Sequence, residues 1–370
     1  MDVEQYLCEL RKLVNIDSDT HNPAGVNAVA GMVAALFDHA GWYCSDIDLS
    51  AQTGKGLLIS SHPTGQDFDL LLLGHLDTVF PEGTARARPF HVCDGRAYGP
   101  GVADMKGGLL SMFWALHTLD AAHRKRLRIA VALNPDEEIN SVYSRDWLSG
   151  LARNSGCVLV GEAARPDGAL INARKGMARY RLNFQGVSAH AGNAPQNGRS
   201  AINALAGCIQ EINQLCDAQN DTTLNFGSVW GGGAPNVIAD QAGTLLEIRF
   251  WRNEEYQRVN QALEARCRQP FAPGVTTRLT QEVYMPAMTP SPDTHRLMQL
   301  VERAGRAVNQ EIRWRETGAV SDANHSAATG TPTLDGFGPI GAGFHSQGEF
   351  LEIASVEPRV RLLQNVIAGL

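Results

Sequence analysis

No stretch of these 370 residues reaches the roughly 18 consecutive apolar residues of a membrane-spanning helix, so no membrane partner is expected. No Cys-x-x-Cys pair occurs either. The seven cysteines (Cys8, Cys44, Cys93, Cys157, Cys208, Cys216 and Cys267) are odd in number and scattered, which argues against a thiolate zinc knot and suits unpaired thiols in a reducing compartment. The start, MDVEQYLCELRKLVNID, lacks the basic head and unbroken apolar run of a secretory signal, so a cytoplasmic location is expected. Positive charge is in deficit: 32 Lys plus Arg against 39 Asp plus Glu give a net charge of -7, and nucleic acid is not an expected partner. Internal repeats, low-complexity tracts and charge blocks are lacking too. What remains is ordinary globular usage, 44% hydrophobic and 19% charged, which excludes disordered and fibrous chains. The length predicts about two domains, each large enough to bury a core.

The first 165 residues alternate helical and extended patterns. Apolar positions recur every three or four residues over 2–14 and 25–40, predicting helices, and FDLLLLG (68–74) is a continuous apolar run of strand length. The spacing predicts a helix over 105–120 and further buried strands over 126–133 and 157–161. This alternation points to an α/β domain with a mostly parallel sheet and helices on both faces. From about 170 to 284 the order becomes β-α-β-β-α-β, the ferredoxin-like α+β arrangement of a small domain. Helical and strand patterns resume after 285. The topology expected is therefore one α/β domain built from 1–169 and 285–370, with 170–284 inserted in its middle.

Polar groups follow each buried run. His75 comes directly after the first, where open α/β sheets place ligands, and Asp77 stands two residues on, able to accept the second imidazole N-H and fix the tautomer. Asp104 lies in the glycine-rich YGPGVADMKGG at a helix start, where an aspartate is often only a cap. Asp136, Glu137 and Glu138 follow the second run, and three consecutive carboxylates are costly unless solvated or neutralised by cations. Glu162 ends the third run, and His345 sits in the glycine-rich GPIGAGFHSQGEF. Each position alone is weak. Together they gather two histidines and several carboxylates at strand ends of one domain, a donor set suited to Zn²⁺, and five ligands with a shared carboxylate serve two ions better than one.

With GHLDTV, GVADMKGG, PDEE, GE, GVSAHAG and a late FHS in this order, the chain resembles the co-catalytic dizinc amidohydrolases that include glutamate carboxypeptidase, acetylornithine deacetylase, succinyl-diaminopimelate desuccinylase and aminoacylase. The resemblance covers nearly the whole chain. It implies a catalytic domain formed by both chain ends and an inserted dimerisation and lid domain. It implies two Zn²⁺ per chain, with Co²⁺ or Mn²⁺ able to take the same ligands: one held by His75, Asp104 and Glu162, the other by Glu138, His345 and the bridging Asp104. By the same resemblance Asp77 is expected to orient His75, Glu137 to be the general base that deprotonates the bridging water, and a cis peptide to follow Asp104. The resemblance further implies that His190 reaches the substrate carbonyl across a homodimer interface and that Asn236 and Arg249 bind the substrate's carboxylate. Arg249 can equally pair with Glu247 on its own strand, and Arg174 and Lys175 add positive charge at the start of the insert. Ser321 is expected to cap a helix from 322.

The activity implied is hydrolysis of an amide beside a free carboxylate, in an N-acyl amino acid or short peptide, with a glutamate carboxypeptidase-like enzyme as the nearest group. A biosynthetic deacylase of the acetylornithine or succinyl-diaminopimelate type shares the machinery. A non-hydrolytic binding relative is disfavoured, because it has no use for a general base at Glu137.

Overall fold

The computed structural model describes residues 1–63 and 67–370, which divide into two compact units: Met1–Ala173 with Pro290–Thr317 and Ser321–Leu370, and Arg174–Thr289 with Gly318–Val320. The first unit is built on a six-stranded sheet. In spatial order its strands are Tyr43–Ile47, Gly56–Ser60, Ile129–Asn134, Phe68–His75, Ser155–Val160 and Thr333–Leu334. The last four run parallel to one another, and the first two pair antiparallel with their neighbours, so the sheet is mostly parallel. FDLLLLG forms the predicted strand because it is buried on both faces: Leu70 and Leu72 belong to the main core, and the alternate Leu71 and Leu73 are fully buried on the other side.

The register of this sheet positions the site. His75 pairs with Asn134 and Leu73 with Val160, so three strands end together, and the residues at or just past those ends are His75 to Asp77, Pro135 to Glu138 and Gly161 to Glu162. The helix Gly107–His117 is buried along all but its last residue. It starts at Gly107 rather than at the expected 105, since Asp104 (φ -114°, ψ 90°) and Met105 (φ -128°, ψ 34°) leave helical geometry and the Asp104-Met105 peptide is cis. A second, four-stranded sheet in this unit joins Gly341–Ala342, Phe350–Glu352, Arg96–Tyr98 and His91–Cys93 in antiparallel order. Its strands of two or three residues are too short to show a periodicity.

The second unit has the β-α-β-β-α-β order, with an antiparallel sheet arranged as Thr223–Gly231, Gln241–Phe250, Gly176–Gln185 and Thr276–Met285. Alternation sorts its faces: Ala178, Tyr180, Leu182 and Phe184 enter the core beneath the helices Ala201–Ile212 and Asn253–Cys267, while Arg179 and Arg181 fall on the other face. Among the described residues no helix is long and apolar enough to cross a membrane.

Candidate metal centre

His75 closes its strand with a side chain 1% exposed. Its Nε2 lies 3.1 Å from Asp104 Oδ1 and 3.5 Å from Glu162 Oε1, and its Nδ1 lies 3.3 Å from Asp77 Oδ1. The other oxygen of Asp104, Oδ2, is 3.2 Å from His345 Nε2, which is also 3.2 Å from Glu138 Oε2. The groups thus form one continuous row, Glu162, His75, Asp104, His345 and Glu138, with Asp104 at its centre offering a different oxygen to each side. Donor atoms of His75, Asp104 and Glu138 all lie within 4.8 Å of one another.

Asp77 does more than face His75. Its Oδ2 accepts the Thr20 hydroxyl at 2.6 Å, and its two oxygens accept the main-chain N-H groups of Glu137 and Glu138, each at 3.2 Å. One buried carboxylate therefore ties the first strand end to the turn that follows the second.

The electrostatics describe a site short of positive charge. Burial pushes the carboxyl of Glu138 up to about 7, and burial raises Glu137 well above its ordinary range, aided by Glu162, Asp322 and Glu138. His345 is pushed up to about 10 by its hydrogen bonds to Asp104 and Glu138. Burial works against a charged His75, yet Asp104, Asp77 and Glu162 together raise it. Burial likewise opposes the charge of Asp104, but the two histidines hold its carboxyl well below the usual range. Carboxylates packed this closely demand cations. Imidazole nitrogen and carboxylate oxygen are the donors that Zn²⁺ and its first-row neighbours take, and a carboxylate with each oxygen aimed at a separate histidine suits a bridge, so the residues fit a metal centre.

Of the remaining expected residues, His190, Asn236, Arg249, Arg174 and Lys175 lie on the second unit and Ser321 on the first. His190 is exposed, and its Nδ1 accepts the N-H groups of Gly192 and Asn193, each at 3.1 Å, which leaves the proton on Nε2. Its loop pairs with that of Asn236: Ala191 N donates to Asn236 O at 2.9 Å, and His190 forms a bridge with Val237. Arg249 is engaged, its Nε 2.9 Å from Glu247 Oε1 and its Nη1 3.2 Å from the Gly318 carbonyl. Lys175 pairs with Asp221 at 2.8 Å, and Arg174 donates to the Ala319 carbonyl at 3.1 Å. Ser321 caps the helix Asp322–Ala327 in a capping box with Asn324.

Beneath the acidic turn lies a polar network that sequence reasoning did not reach. The Asn134 amide donates to Ser141 Oγ and Ser144 Oγ, each at 3.1 Å, and the Ser141 hydroxyl donates to the buried Asp322, whose carboxyl burial pushes up to about 7. Asn140 (φ 69°) and Ser141 (φ 51°) turn the chain there in left-handed geometry. Only the polar run after a buried strand hinted at this network.

Residues 71–369 match the peptidase family M20/M25/M40. Carboxypeptidase G2 of Pseudomonas sp. (strain RS-16) is 28% identical over 98% of this chain and 88% of its own. Among solved structures, a tripeptidase of Staphylococcus aureus superposes with a TM-score of 0.82 at 22% identity, covering 99% of this chain and 98% of the other. Aminopeptidase PepT of Bacillus cereus superposes with a TM-score of 0.79 at 23% identity, covering 100% and 99%. These last two show likeness of fold.

Proposed function

Since this chain belongs to the peptidase family M20/M25/M40 and is a metallohydrolase, we propose that it cleaves the amide bond beside a free carboxylate in N-acyl amino acids or short peptides, in the manner of a glutamate carboxypeptidase. The observation that carries the reading is Asp104, with one oxygen toward His75 and the other toward His345, next to a turn where Glu137 adjoins Glu138. His75, Asp104 and Glu162 would hold one Zn²⁺, and Glu138, His345 and Asp104 a second, with Co²⁺ or Mn²⁺ able to substitute. When bound, the pair of ions supplies Lewis acidity and lowers the pKa of water.

The chain's own residues do the rest. Asp77 holds the His75 ring in one orientation and, through the N-H groups of Glu137 and Glu138, fixes the acidic turn against it. Glu137 takes the proton of the attacking water and passes it to the departing amine. His190, with its proton on Nε2, donates to the substrate carbonyl as negative charge develops there. Asn236 and Arg249 receive the free carboxylate, a role that suits a planar guanidinium with several N-H donors.

The enzyme acts as a homodimer through the inserted unit, with His190 serving the partner's substrate. In support, Val187, Ile202, Val229, Trp230 and Val237 are large apolar side chains left exposed on the unit that carries His190. The seven cysteines are free thiols, which favours a cytoplasmic location. The test is amino-acid release by zinc-loaded protein from a panel of N-acyl amino acids, folyl-type glutamates, dipeptides, acetylornithine and succinyl-diaminopimelate. Release of the amino acid that bears the free carboxylate is expected. Turnover confined to the last two substrates would favour the biosynthetic deacylase, and no release from any would contradict the hydrolytic reading.

A further inference from the structure

Glu349 is 1% exposed, and a carboxylate so deeply placed needs compensation. It finds it in one turn: Gly101 N donates to Oε2 at 3.0 Å, while Ala103 N and Asp104 N donate to Oε1 at 2.9 and 3.0 Å. Main-chain N-H groups of one turn converging in this way make an anion-binding concavity. Here the anion is a side chain of the protein. The turn begins at Gly101 with φ +71°, a left-handed conformation, and a Cβ at Gly101 would lie 2.5 Å from the Thr78 side chain.

The small antiparallel sheet explains how Glu349 arrives there. Phe350 pairs with Tyr98, so the residue before Phe350 faces the chain that leaves Tyr98 toward Asp104. The same residue ends the loop that carries His345, between Gly341–Ala342 and Phe350–Glu352. Glu349 thus fastens the loop of one histidine to the turn of the shared aspartate, and it approaches Asp104 from the backbone side while the Asp104 side chain meets His75 and His345.

We propose that Glu349 is a positioning residue of the metal centre, fixing the turn 101–104 so that Asp104 presents one oxygen toward each ion, and holding the His345 loop in register with it. This rests on the reading of Asp104 as the bridging ligand. Neither charge nor volume alone performs the task. Two acceptor oxygens must meet three N-H donors, and a glutamine would set its own NH₂ against one of them.

The experiment uses the full chain as wild type, Glu349→Gln, Glu349→Asp and Asp104→Asn. Each is stripped of metal and checked by far-UV circular dichroism and thermal unfolding. Zinc affinity is then measured by competition with a chromophoric chelator, and the visible absorption of the Co²⁺-loaded protein is recorded. Glu349→Gln is expected to weaken zinc binding about 10- to 100-fold, as loss of an outer partner of a metal ligand typically does, and to shift the cobalt bands. Glu349→Asp, which keeps both acceptor oxygens, is expected to lose less. A Glu349→Gln protein with wild-type zinc affinity and cobalt spectrum overturns the proposal, even if its unfolding temperature has dropped. Should Glu349→Gln fail to fold, the same result from Glu349→Asp overturns it. Asp104→Asn separates the two readings. If it loses metal while the Glu349 variants do not, only the positioning role falls; if it binds zinc as the wild type does, the bridging role falls and the proposal with it.

Discussion

Two oxygens of Asp77 serve four partners: the His75 ring, the Thr20 hydroxyl and the N-H groups of Glu137 and Glu138. Replacing one oxygen with an amide NH₂ sets donor against donor at a side chain 0% exposed, where an unmade hydrogen bond costs most. Asp77→Asn is therefore expected to weaken zinc binding about 10- to 100-fold, measured by chelator competition, and an unchanged affinity would contradict its role as the orienting partner of His75. His190 differs in kind, because it stands outside the acidic cluster and its Nδ1 is already occupied by Gly192 and Asn193. His190→Ala is expected to lower kcat about 10²- to 10³-fold, the usual cost of one lost oxyanion donor, with zinc content unchanged. Steady-state kinetics beside metal analysis would check this, and an unaltered kcat would refute the assignment.

At the scale of elements, the parallel strands place the chemistry because their ends coincide, and close packing keeps them so. Gly108, in the helix Gly107–His117, shows how tight the fit is: a Cβ there would stand 1.9 Å from the Gly161 carbonyl oxygen, immediately before Glu162. In an exposed helix, Gly→Ala gains up to about 1 kcal/mol. Gly108→Ala is expected to do the reverse, lowering the melting temperature and weakening zinc binding by displacing Glu162, and a raised melting temperature with intact zinc affinity would show that the packing gives way. The long elements were legible because length and periodicity agree, as in FDLLLLG and in the alternation of 176–185. The candidate ligands were legible because each follows a buried run or a glycine-rich turn. Glu349 and Asp322 were not. Their partners lie far off in sequence, 245 to 248 residues from Glu349 and 181 from Asp322, and those of Glu349 are main-chain N-H groups, which carry no residue identity. The edge strand Tyr43–Ile47 escaped notice for another reason: its partly exposed side chains show no clear alternation.

For the molecule as a whole, the proposed dimer explains why a unit with a well-formed core leaves Val229 59% and Trp230 40% exposed. Trp230 lies on the surface with the Arg181 guanidinium 5.4 Å from its ring centroid. Trp230→Glu is expected to shift the protein from dimer to monomer in light scattering at micromolar concentration and to depress kcat together with dimer content; a wild-type protein that is monomeric at all concentrations would contradict the dimer. In the proposed reaction Glu137 is the base, beside a metal centre that does not need Glu137 as a ligand. The most direct test is amino-acid release by wild type and Glu137→Ala at measured zinc stoichiometry. The expected result is two zinc ions per chain in both proteins, with turnover in the variant reduced by about 10²- to 10⁴-fold, the range of general-base catalysis. Equal turnover, or a variant that has lost its zinc, would contradict the role of Glu137 as a base that is not a ligand.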